Sequence, residues 1–244
     1  MTKINKFLIS AFLLAAAVHT ADAQGTYNLT TNDEVRIVAT SAGPYGNAYN
    51  DGYLSVYEAI FGSYYNRQRS LIKYDLSGVT GSVVSASLTL TTGYSNPGPG
   101  AIDVYRVASD WNRSQVTWYN ATSGTAWVAE GGDYAGNPAS STAYASFVPQ
   151  AGVNTVDVTY LVKSWINGSY ANYGLELTGS GATDGSVNTY FYPYQFGTAQ
   201  PTLNIVTTAT ETSETPEPGT LALLFTGSIS GTLILRRRRA LCSA

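Results

Sequence analysis

Residues 82–92 read SVVSASLTLTT, and their alternation decides the fold class. Val84, Ala86, Leu88 and Leu90 share one parity, while Ser85, Ser87, Thr89 and Thr91 share the other. Successive side chains of a strand point to opposite faces, so this pattern describes a strand with one face in a core and the other in water. Outward from it, comparable runs lie at 34–39, 53–61, 69–76, 101–107, 116–119, 173–178, 189–192 and 202–206, separated by Gly, Pro, Asn and Ser clusters. The sequence NPGPG at 96–100 is a turn. Short strands at this spacing predict an all-β domain, an antiparallel β-sandwich.

One segment breaks the period of two. Val158, Leu161, Val162, Trp165 and Ile166 follow Asp157 at helical spacing, and Asn167-Gly168 closes the run. The spacing predicts one short amphipathic helix with Asp157 as its N-cap, its apolar stripe closing one end of the sandwich. Trp165 on that stripe is assigned to packing, as are Trp111 and Trp118.

The two ends of the chain have a different character. Lys3 and Lys6 precede an apolar run at 7–18, and Ala21 and Ala23 stand where a signal peptidase reads small residues. Residues 1–23 are therefore expected to be a secretory signal peptide. The apolar run would span only ~18 Å as a helix, too short for a ~30 Å hydrocarbon core. At the other end, 207–215 is a polar tract expected to be a disordered linker. It is followed by Pro216, Glu217 and Pro218, an uncharged stretch at 219–235, and Arg236, Arg237, Arg238 and Arg239. The uncharged stretch is long enough for a short transmembrane helix, which leaves the arginines and 240–244 as a cytoplasmic tail and the domain outside. Pro-Glu-Pro, apolar stretch and arginine cluster in this order resemble the PEP-CTERM sorting signal of Gram-negative bacteria, over 216–239. That resemblance implies removal of the segment by a membrane exosortase, so signal peptidase and exosortase are the expected processing partners.

Without these ends, residues 24–215 contain seven Lys and Arg against fourteen Asp and Glu, a formal charge of −7. Such a surface repels nucleic acid. His19, Cys242 and Met1 are the only residues of their types and all fall outside this body. The body therefore has no His/Cys zinc site, no Ser-His-Asp or Cys-His nucleophile and no disulfide. All 19 tyrosines lie inside it. The composition suits a hydrogen-bonded β-domain that adheres, with no enzyme activity, no essential metal and no cofactor expected.

The runs RSLIKYDLS (69–77), SASLTLTT (85–92), IDVYRV (102–107), VTWYNATSGTAW (116–127), GGDY (131–134) and DVTYLVKSWING with NYGLEL (157–177) resemble the DNRLRE domain, also described as carbohydrate-binding module family 96 and related to disaggregatase domains. The resemblance covers about 28–206. It implies a secreted β-sandwich of jelly-roll type, found alone or beside polysaccharide-degrading domains, with acidic polysaccharide such as alginate among its ligands. Two positions depart from the pattern. Arg113 stands where the family carries an acid two places after the Trp, and Ile60 where an Asn often precedes the aromatic-Gly pair. The expected domain organisation is thus a signal peptide at 1–23, a sandwich at 24–206, a linker at 207–215 and the sorting signal at 216–239.

Three of the seven cations, Arg67, Arg69 and Lys73, share one parity on a predicted strand. A row of positive charge in a negative domain is a candidate site for the uronate groups of an acidic polysaccharide, Arg as a bidentate fork and Lys as a point charge. The competing reading pairs these cations with Asp75 and other local acids on a solvated face. Sugar surfaces also need aromatic platforms, for which Trp127, Tyr190 and Tyr192 are the candidates, with Tyr64, Tyr65 and Tyr194 near them in turns. Among acids, Glu58, Glu130, Asp133 and Asp184 show no spacing that singles out a catalytic pair, and Asp51 or Asp133 would be loop ligands for a structural calcium. The leading expectation is an exported, non-catalytic polysaccharide-binding protein of the cell surface, extracellular matrix or biofilm. The alternatives are a structural adhesin that contacts proteins, a carboxylate-based hydrolase or lyase, and, last, an ice-binding surface built on Ser87, Thr89 and Thr91.

Overall fold

The computed structural model describes residues 24–41, 48–49, 54–95, 100–134, 143–180 and 187–208. The chain divides into two compact units, Met1–Ala209 and Thr210–Ala244, and the second lies wholly outside the described residues. So do the expected signal peptide at 1–23 with Ala21 and Ala23, residues 96–99 of the expected turn, Asp51 and Asp184. The same holds for Pro216, Glu217, Pro218, Arg236, Arg237, Arg238 and Arg239. Among the described residues no helix is long and apolar enough to cross a membrane.

The strands are β1 (Gln24–Thr30), β2 (Glu34–Thr40), β3 (Ala48–Tyr49), β4 (Leu54–Phe61), β5 (Tyr64–Ile72), β6 (Ser82–Ser95) and β7 (Ile102–Arg106). A separate hairpin follows, β8 (Asn120–Thr122) with β9 (Thr125–Ala126), then β10 (Ala145–Phe147) and β11 (Gly152–Asp157). The helix α1 (Thr159–Ile166), β12 (Leu175–Gly179), β13 (Val187–Phe191), a 3-10 turn (Tyr194–Ala199) and β14 (Thr202–Thr208) complete the order. The main network has the order β1-β14-β6-β13-β4-β5-β12-β7-β10, with β11 added at β6, β2 at β5 and β3 at β2. The fold is mostly antiparallel β-sheet with few helices, as an all-β sandwich requires. Its layers are joined edge to edge where β4 pairs β5 at its turn and β13 along its start.

Two cores hold it together. The larger one lies between the layers and gathers Leu54 and Val56 of β4, Leu88 and Leu90 of β6, Val104 of β7, Leu177 of β12, Phe191 of β13 and Ile205 of β14. The rings of Phe147 and Phe191 meet at 6.3 Å across it. Leu161, Val162 and Trp165 of α1 join this core, so the helix closes it as its stripe predicts. Val158 takes the N-cap position expected for Asp157, which ends β11 and whose carboxylate accepts the Thr159 N–H at 2.8 Å, and Gly168, at φ +76°, ends the helix in the left-handed region. A second core lies on the opposite face of β2 and β5, where Val35, Ile37, Ala39 and Leu71 are covered by Trp111, Val116, Trp118 and Trp127 from the segment 107–127. This double covering makes β2 buried along nearly its whole length.

The differences from the expected strands have local causes. In β6 the side chain that enters the core is Val83, while Val84 is 44% exposed. A register shift opposite Val206 and Thr207 adds one residue there and inverts the alternation. The run at 69–76 is strand only to Ile72; beyond it Asp75 accepts the Ser77 N–H at 2.9 Å and turns the chain. Residues 116–119 are not a strand. The Thr117 hydroxyl accepts the N–H groups of Tyr119 (3.1 Å) and Asn120 (2.9 Å), a local alternative to a sheet ladder. Thr207 and Thr208, expected to open the linker, instead continue β14 and pair with Gly25 and Gln24.

Candidate functional site

The odd-numbered residues of β5 place Arg67, Arg69 and Leu71 on one face, and Lys73 follows just beyond the strand. Each cation has a carboxylate, but none of these is Asp75. Arg67 Nε lies 3.4 Å from Glu58 Oε2 across the β4–β5 pair. Arg69 Nη1 lies 3.4 Å from Oε1 of Glu176, whose side chain has no exposed surface, and donates to the Gly131 carbonyl at 2.6 Å. Lys73 Nζ reaches Asp33 at 3.2 Å and Asp110 at 3.4 Å.

The Arg69 neighbourhood is closed from above by the segment that ends in GGDY. The guanidinium sits 4.7 Å from the centroid of the Trp118 ring and 5.1 Å from that of Tyr134. Gly131 and Gly132, at φ +88° and +97°, press directly on the ion pair. A Cβ at Gly131 would lie 2.5 Å from Arg69 Nη1, and one at Gly132 2.3 Å from Glu176 Oε2. Asp133 fixes this lid by accepting the N–H groups of Val128 and Ala129 and the Ser109 hydroxyl. Burial pushes the Glu176 carboxyl up to about 8 against the pull of Arg69, and pushes Glu58 up as well. The row is therefore an enclosed charged seam at Arg69 and opens to solvent only at its two ends, Arg67 and Lys73.

At the Lys73 end two shallow grooves meet. One, of about 550 Å³, is lined by Asp33, Lys73, Asp110, Trp111, Asn112, Arg113 and Ser114. The other, of about 530 Å³, shares Asp33 and Lys73 and continues past Tyr74 and Asp75 to Asn172. Lys73 Nζ lies 4.9 Å from the Trp111 ring centroid, which holds the ammonium at the junction. The far wall is tied to β2: Arg113 Nε donates to the Glu34 carbonyl at 3.1 Å, and its guanidinium lies 4.9 Å from the Tyr194 ring centroid. The Glu34 carboxylate accepts the Tyr194 N–H at 2.5 Å, and burial raises its pKa to about 7. A lining of carboxylates, amides, hydroxyls and one ammonium matches the hydroxyl-rich surface of a sugar chain.

The other candidates lie apart. Trp127 is 5% exposed and donates from its indole to the Thr117 carbonyl at 2.9 Å, so it packs in the second core and presents no platform. Tyr190 pairs with Ser55 in the β13–β4 ladder and so points to the face opposite Val187 and Glu58, away from Arg67. Tyr192 packs on Phe196, ring centroids 4.9 Å apart, and over Gly93. Arg67, Arg69 and Lys73 thus share a face but not a surface, and Trp127, Tyr190 and Tyr192 do not join them. Asp33, Asp110, Asn112 and Arg113 were not among the binding residues expected from the sequence. Their signal is the polar run SDWNRS at 109–114, whose non-strand backbone frees its side chains to line a groove. Among the described residues no cluster of three or more His, Cys, Asp or Glu could hold a metal.

Residues 35–207 match carbohydrate-binding module family 96, and the chain belongs to that family. No curated protein matches it. Family membership supports a carbohydrate-binding domain, and the all-β fold is consistent with it.

Proposed function

We propose that this is an exported, non-catalytic protein whose domain binds an acidic polysaccharide along the grooves that meet at Lys73. The observation that carries this reading is the junction itself. Lys73 stands between two open grooves, and its partner Asp110 has a side chain 70% exposed. An exposed ion pair is weak, so a uronate carboxylate competes with Asp110 for Lys73 at little cost. Arg113 adds a second cation to the same wall, while Asp33, Asn112 and Ser114 offer partners to hydroxyls. The Sec-type leader, the PEP-CTERM-like segment and the acidic body support export, exosortase processing and residence at the cell surface or in the extracellular matrix.

The test is binding of the purified domain to alginate, pectin and neutral glucans at low and high salt. Affinity for the acidic polymers that falls with salt, and falls again in Lys73→Ala, is the expected result. Equal affinity for neutral and acidic polymers at both salt levels would remove the uronate from the proposal, and no binding to any polymer would remove the groove.

A further inference from the structure

Beyond the grooves, the helix α1 carries one exposed tyrosine that the core does not require. Tyr160, on the water side of α1, is 66% exposed although its helix neighbours Leu161 and Val162 are buried. Its ring lies 5.8 Å from that of Tyr144 at an interplanar angle of 25°, so the two form one stacked step. Tyr144 packs on the same core margin as Tyr170, and the Arg106 guanidinium lies 4.2 Å over the Tyr170 ring. Tyr170 is two residues from Asn172, the last residue lining the groove that starts at Lys73. Two ring contacts, Arg106 on Tyr170 and Tyr144 on Tyr160, thus lie between the groove margin at Asn172 and the helix. Lys163 is exposed three residues after Tyr160, a spacing that sets the two on neighbouring positions of the helix surface.

We infer that Tyr160, backed by Tyr144, is a remote stacking subsite for the same polysaccharide chain that lies in the Lys73 grooves. This inference rests on the groove reading and extends it. A pyranose ring exposes an apolar face of C–H groups that packs on a tyrosine ring, and the neighbouring Lys163 meets its hydroxyls or carboxylates. Tyr144 and Tyr170 also pack against the main core, and they would close it whether or not a ligand bound. Tyr160 lies outside that closure, and its exposed ring is what the core leaves unexplained. A chain that reaches both sites gains from the second contact as an intramolecular event, so the domain prefers long chains over short ones.

The experiment compares uronate oligomers of defined length, from dimers to decamers, on wild type, Tyr160→Ala, Tyr160→Phe and Lys73→Ala. Tyr160→Ala is expected to weaken decamer binding about three- to tenfold while leaving dimers unchanged, and Tyr160→Phe to retain the decamer affinity. Thermal melting of Tyr160→Ala should match wild type, since the ring is mostly outside the core. Undiminished decamer binding by Tyr160→Ala, with Lys73→Ala impaired, overturns the subsite and leaves the groove standing. A wild-type domain that binds neither dimers nor decamers overturns both.

Discussion

Arg69 and Glu176 face each other at 3.4 Å beneath a lid of two glycines, and the carboxylate has lost all contact with solvent. A pair this deep is held by what surrounds it: the Gly131 carbonyl, the Trp118 face and the Tyr134 ring all take part of the guanidinium. The seam is thus a fastening between the sheet and the segment that covers it. Arg69→Ala empties the space between the Trp118 and Tyr134 rings and leaves the Gly131 carbonyl unpaired, and should cost about 2–5 kcal/mol in denaturant unfolding. A loss below 1 kcal/mol would show that the lid stands without the ion pair.

The two glycines are predicted to be intolerant of any side chain. Gly132→Ala brings a methyl group 2.3 Å from Glu176 Oε2 at φ +97° and should destabilise the domain by about 1–3 kcal/mol through strain and displacement of the pair. Gly124 is the control. It also has a positive φ, +88°, but a Cβ there meets nothing within 4 Å, so Gly124→Ala should cost less. Equal melting temperatures for the two variants would reduce the effect to backbone conformation alone.

Stability should depend on pH in a direction set by the buried acids. Burial raises the pKa of Glu176 to about 8 and of Glu34 to about 7, from the usual glutamate value of 4.5. The folded state then holds protons that the unfolded chain has released, so their contribution is full below pH ~4.5 and is lost as pH rises through these values. Unfolding followed from about pH 5 to about pH 8 should show declining stability, and Glu34→Gln with Glu176→Gln should flatten the decline. A wild-type profile that rises over this range contradicts the assignment.

Lys73→Ala and Trp127→Ala should separate binding from packing. Lys73 pairs at the surface, so its loss should cost less than about 1 kcal/mol of stability while lowering affinity for acidic polymer several-fold at low salt. Trp127 fills the second core, and its truncation should cost about 3–5 kcal/mol without a specific effect on affinity in the fraction that remains folded. Isothermal titration beside thermal melting distinguishes the two.

The fold was largely legible because its strands obey a period of two, and α1 stood out because it does not. The failures came where side chains, not periodicity, direct the backbone. Thr117 turns an apolar run into a loop by capturing two N–H groups, and the bulge beside Val84 reverses the parity of β6. Of the site, the shared face of Arg67 and Arg69 followed from parity, since both are odd-numbered on β5, while Lys73 lies just past the strand's end. Their carboxylates did not follow, because Glu176 is 107 residues from Arg69 and reaches it only through the β12–β5 ladder. Nor did the burial of Trp127, which depends on a second core that no single strand announces.

Gln24 of β1 lies opposite Thr208 of β14, and the ladder then runs seven pairs to Thr30 and Thr202. The chain thus enters and leaves at one pole, while Thr31, Asn32 and Asp33 open the grooves at the other, ~23 Å away by the rise of a strand. The paired residues Gln24 and Thr208 and the groove rim at Thr31, Asn32 and Asp33 therefore occupy opposite ends of one ladder, and its seven pairs separate the one from the other.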